Sequence, residues 1–134
     1  MDLFLASVGW WNFAGSFFML ALLHEPLGQK VLVDSRIFTE NFVLGYWGKL
    51  WLFWAAGLNI FFGLINIRAA KWELDEVKVF LIWSDLTAYI LFFSLAVWGL
   101  KSRKCGPGIY SVFVVFSVWL TWGFVALYRA GHLF

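Results

Sequence analysis

The sequence predicts an all-α integral membrane protein, with four antiparallel transmembrane helices in an up-down bundle. Three observations carry that expectation. The chain is 63% hydrophobic and only 13% charged, with a mean hydropathy of +0.81. A water-soluble domain of that composition lacks the polar residues to cover its exterior, whereas lipid serves as an apolar outer solvent. Four stretches also reach the roughly 20 residues, at about 1.5 Å each, that a spanning helix needs. The connectors between them are too short for a second domain, so residues 1–134 read as one unit.

The first span, residues 3–23, is "LFLASVGWWNFAGSFFMLALL" and carries no charge. An acid and no base precede it, and it is too long for a signal-peptide core. The second, residues 42–67, carries only Lys49. The third, residues 77–100, carries Lys78 at its edge and Asp85 within. The fourth, residues 109–128, is uncharged.

The connectors have their own logic. Glu73, Asp75 and Glu76 precede the third span, where the positive end of a helix favours anions. "KSRKCGPG" puts three bases at the negative end of that span, with Gly106 placed to end it and Pro107 to begin the next. The first connector, "HEPLGQKVLVDSRIFTEN", is long for a bundle and mixes Val31, Leu32, Val33, Ile37 and Phe38 with charges. It is expected to pack along the headgroup boundary. Sequential crossing puts Lys30, Arg36, Lys49, Lys101, Arg103 and Lys104 on one side, and Arg68, Lys71, Lys78 and Arg129 on the other. Basic residues favour the cytoplasm, so both termini are expected outside.

In lipid, helices associate through close packing of small residues and through hydrogen bonds. Gly45, Gly48, Leu52, Ala56, Asn59, Gly63 and Asn66 form such a stripe on the second span, and Ala6, Gly9, Asn12 and Ser16 a shorter one on the first. The second span's other faces carry Trp47, Trp51, Phe53, Trp54, Phe61 and Phe62. The third span offers two adjacent stripes, one of Ser84, Thr87, Leu91 and Ser94, the other of Asp85, Ala88, Tyr89, Phe92, Ala96 and Gly99. The fourth offers Ser117, Thr121, Phe124 and Tyr128. Trp10, Trp11, Trp47, Trp72 and Trp98 sit near span ends as interface anchors. Trp54, Trp83, Trp119 and Trp122 lie deeper and suit protein contact.

Asp85 lies about 12 Å along the third span from Val77. A charged Asp facing lipid costs roughly 2.5 to 3.5 kcal/mol, so this side chain is expected to point into the bundle or to protonate. Lys78, two turns earlier on the same stripe, is one candidate partner; Asn12, Asn59 and Asn66 are candidate donors. Asn12, Asn59, Asn66, Asp85, Thr87 and Tyr89 are therefore the candidate polar residues for binding a ligand or packing helices. Lys101, Arg103 and Lys104 are the candidates for lipid-headgroup contact, on the same side as His24, Glu25, Asp34 and Glu40. A solvated, charge-balanced loop is the simpler reading of that cluster.

Several chemistries lack their residues. His24 and His132 fall on opposite sides by helix count, so neither haem nor metal is expected within the chain. A single cysteine, Cys105, allows no intrachain disulfide. There is no glycine-rich phosphate cradle and no Ser/His/Asp set, and the scattered bases do not suit nucleic acid. "VDSRIF" after the first span resembles a fragment of the four-helix sterol-isomerase and sigma-2-receptor domain, over those few residues. That domain's acids on its second helix have no counterpart here, and the chain is not assigned to it.

Three functional expectations follow. The first is a non-catalytic accessory subunit of a larger membrane complex, with membrane lipids and other membrane proteins as partners. The second is a module that holds a lipid, quinone or sterol-like molecule between the second and third spans. The third is a proton- or ion-coupled carrier using Asp85, although a relay needs successive titratable groups and none follows at mid-depth. A surface enzyme has the least support.

Overall fold

The computed structural model describes residues 1–24, 27–37 and 45–133. Among these the chain is all-helical, with no strand: α1 (Asp2–Ala21), α2 (Leu27–Asp34), α3 (Tyr46–Ala69), α4 (Asp75–Lys101) and α5 (Ile109–Arg129). α1, α3, α4 and α5 are each long and apolar enough to cross a membrane. Phe42, the expected start of the second span, lies outside the described residues. α3 starts at Tyr46, with Gly45 extended as its N-cap.

The connectors differ in part from expectation. α4 begins two residues early, and Asp75 and Glu76 occupy its first turn, where free N–H groups favour acids. Gly106 does not end α4. The chain leaves that helix through Arg103, which takes the left-handed conformation (φ 54°). The N–H groups of Lys104 and Cys105 both donate to the Gly99 carbonyl, at 2.9 and 3.2 Å. Gly106 instead donates to the Ile37 carbonyl and Gly108 to that of Arg36, both at 2.8 Å, which ties the connector after α4 to the one after α1. A Cβ at Gly108 would overlap the Ser35 carbonyl, so this backbone crossing requires glycine. The first connector is thus partly ordered by α2 and partly held by backbone bonds.

α1 lies chiefly against α3, and α4 chiefly against α5. Gly9 and Gly63 allow the first pair to touch backbone to backbone: a Cβ on either would sit 2.8 Å from the other's carbonyl oxygen. The second pair meets through aromatic contacts, Phe93 with Phe113 (4.7 Å), Phe92 with Phe116 (5.9 Å) and Trp83 with Phe124 (6.0 Å). Gly123 makes room for Leu86, whose Cδ2 lies 2.6 Å from where a Cβ would stand. The two pairs join in one core. Phe4, Leu5 and Val8 from the start of α1 meet Ala69 near the end of α3, Leu81, Ile82 and Leu86 of α4, and Ala126 and Leu127 of α5. Trp119 and Trp122 stack on each other (5.4 Å, 7° between planes), and each meets Phe4 with its ring nearly perpendicular.

Two of the expected inward faces are turned outward. Thr87, Leu91 and Ser94 on α4 are exposed, as are Ser117, Thr121 and Tyr128 on α5. α5 instead buries Ile109, Gly123, Ala126 and Leu127. The reason on α4 is that a helical hydroxyl can satisfy itself on the preceding turn. Ser84 donates to Phe80 O (2.9 Å), Thr87 to Trp83 O (2.8 Å) and Ser94 to Ile90 O (2.9 Å), so none needs a neighbouring helix. Trp54, expected in protein contact, is also exposed.

Candidate functional site

The amides and the carboxylate behave differently from the hydroxyls. A carboxylate has only acceptors, and an amide has two donors as well as a carbonyl, so one bond to the preceding turn leaves polar capacity over. Asp85 (7% exposed) and Asn66 (0%) are both buried, and Asn66 Nδ2 donates to Asp85 Oδ2 at 2.8 Å. This bond joins α3 to α4, where the two helices otherwise touch little. Lys78 does not reach Asp85. Its ammonium pairs with Asp2 at 2.7 Å and lies 3.8 Å from Asp75, pinning the first residues of α1 to the first turn of α4. That pairing brings together residues 76 apart in sequence, and no periodicity announces it.

Beside the Asn66–Asp85 bond is a cavity of about 250 Å3 between α1, α3 and α4. It is lined by Asn12 of α1, by Ala55, Leu58, Asn59 and Phe62 of α3, and by Ser84, Asp85, Ala88, Tyr89 and Phe92 of α4. All ten come from within helices and none from a connector. Leu58, Phe62 and Phe92 are exposed, so the mouth opens sideways between α3 and α4. Asn59 donates to Ala55 O at 2.9 Å and makes a long contact to Met19 Sδ at 3.9 Å. The Asn12 backbone carbonyl accepts from the buried Ser16 hydroxyl at 2.7 Å.

Two buried polar atoms have no hydrogen-bond partner: Oδ1 of Asn66, whose amide nitrogen bonds Asp85, and Oη of Tyr89, one of the lining residues. Buried groups of this kind usually find partners, and an exception marks a place to look for function. Asp85 and Tyr89 are one turn apart on one face of α4, and both residues contribute to the same wall of the cavity.

Of the candidate residues, Asn12, Asn59, Asp85 and Tyr89 line the cavity, and Asn66 supports it from behind. Thr87 does not belong: it is exposed on another face of α4 and bonded to its own backbone. Phe62, assigned by the sequence to an outer face, stands at the mouth. Leu58 and Ala55 carry no chemical signal of their own; only their position one turn before Phe62 and Asn59 identifies them.

Lys101, Arg103 and Lys104 are exposed together near the end of α4, and the Lys104 ammonium lies 5.2 Å from the centre of the Trp98 ring. His24 and Asp34 are exposed as well, while Glu25 and Glu40 lie outside the described residues. Among the described residues, no three His, Cys, Asp or Glu side chains come together as a metal site. Comparison with known protein families, curated proteins and solved structures finds no match.

Proposed function

We propose that this chain is a multi-pass membrane protein that holds a lipid-like small molecule in the cavity between α1, α3 and α4. The observation that carries this reading is the convergence of Asn12, Asn59, Asp85 and Tyr89, from three helices, on one laterally open apolar space. Binding sites are concave and mostly apolar, with a few placed polar groups. An acid deep in an apolar helix is a functional candidate by default. The antiparallel up-down arrangement is part of this reading. It is supported by contacts that run in opposite directions along each pair: Gly9 near Ile67 but Met19 near Asn59, and Phe93 against Phe113 but Trp83 against Phe124.

The test is lipid analysis of the protein purified in mild detergent. A discrete small molecule retained by the wild type and lost from Ala88→Trp, which fills the cavity, is the expected result. Equal retention by both proteins overturns the assignment.

A second reading, an accessory subunit of a larger membrane complex, rests on a different face. Ser117 and Thr121 of α5 line a broad shallow hollow with Phe113, Val114, Val118, Trp122 and Val125. Hydroxyl-bearing residues are favoured where helices pack in membranes. Copurification of a stoichiometric membrane protein, abolished by Thr121→Phe, tests it; migration as a lone chain contradicts it.

A further inference from the structure

We infer that the molecule held in the cavity is a lipophilic amine, with its cationic nitrogen against Asp85. This rests on the cavity-binding reading above and adds the charge of the ligand to it. The ten lining side chains include one carboxylate and no cation. The nearest lysine along α4, Lys78, is already committed to Asp2 at 2.7 Å. Asn66 supplies Asp85 with a neutral donor only. A cationic ligand therefore completes a charge pair that the protein leaves open, and it does so in apolar surroundings where such a pair is strong.

The rest of the lining agrees with an ammonium. Phe62, Tyr89 and Phe92 contribute aromatic rings, whose faces attract a desolvated cation. The Asn12 and Asn59 side chains offer amide carbonyls, which accept from N–H donors. Size adds the other half of the molecule. At about 30 Å3 per water-sized group, the cavity holds about eight such groups, enough for a head and its first methylenes. The tail then leaves through the exposed mouth at Leu58, Phe62 and Phe92.

The experiment uses the full chain in lipid nanodiscs with two photoreactive probes, octadecylamine and octadecanol, carrying the same diazirine near the head. After illumination, crosslinked peptides are mapped by mass spectrometry. The amine is expected to label residues 55–62 and 84–92, and Asp85→Asn to lower that yield about tenfold, the scale of a charge-assisted bond. The alcohol is expected to label weakly and equally in both proteins. Should Asp85→Asn fail to fold, competition on the wild type decides: excess unlabelled octadecylamine suppresses labelling and octadecanol does not. Equal labelling or equal competition by the two probes overturns the amine assignment and leaves the cavity reading standing. Absence of labelling at these peptides by either probe overturns both.

Discussion

Tyr89 illustrates how a single hydroxyl can be costly at rest and useful when a ligand arrives. Its Oη is buried without a partner, and an unsatisfied hydroxyl of this kind costs about 1–3 kcal/mol. Tyr89→Phe is therefore expected to leave the ligand-free protein as stable as the wild type or slightly more so. A drop of several degrees in melting temperature in detergent would show that the hydroxyl is already bonded. The Asn66–Asp85 bond invites the opposite expectation. A double-mutant cycle with Asn66→Ala and Asp85→Ala should return a coupling of about 0.6–2 kcal/mol, the range for interhelical bonds in membranes, read by unfolding in mixed detergent. A coupling near zero would mean that the pair does not hold α3 to α4. These residues were legible in the sequence for a physical reason. Asn66 and Asp85 cannot satisfy their polar groups within their own helices, so their types alone require an inward face. Thr87 misled because its hydroxyl returns to Trp83 O, and a self-satisfied donor tolerates an outward position.

At the scale of elements, the α1/α3 pair depends on two glycines meeting backbone to backbone, and the expected effects differ sharply between glycines of the same helix. Gly63→Ala puts a methyl 2.8 Å from the Gly9 carbonyl, whereas a Cβ at Gly57 meets nothing within 4 Å. Gly63→Ala should destabilise by about 1–3 kcal/mol through overpacking. Gly57→Ala should be neutral or stabilising by up to about 1 kcal/mol through helix propensity. Thermal melts of both variants check the pair, and equal effects would mean that the helices do not cross at Gly63. The small-residue stripe of α3 was readable because 3.6 residues per turn projects Ala56, Gly63 and Asn66 onto one face, and these three are buried. The inner face of α5 was not readable from its Ser and Thr. It is defined instead by Gly123, Ala126 and Leu127, which look like ordinary membrane-helix residues until Leu86 is seen filling the space above Gly123. The hydrogen bonds from Gly106 and Gly108 to the first connector were beyond the sequence as well, because backbone pairing leaves no side-chain pattern.

At the scale of the molecule, the shared core near the start of α1 and the end of α5 holds two helix pairs together, and the cavity lies farther along, where α3 and α4 make little contact. In the up-down reading, the chain start, residues 70–74 and the chain end face one side, and residues 102–106 face the other. With Cys105→Ser as background, single cysteines at positions 2, 72 and 132 should react with an impermeant thiol reagent from the same side, and one at 103 from the opposite side. Mixed labelling would break that arrangement. The most direct test of a ligand held in the laterally open cavity compares two neighbouring phenylalanines. A photoreactive amino acid replacing Phe62, at the mouth, should capture one discrete small molecule in native membranes. The same residue replacing Phe61, exposed away from the cavity, should capture a mixture of bulk phospholipids. The same bulk mixture captured from both positions would contradict a ligand held between α1, α3 and α4.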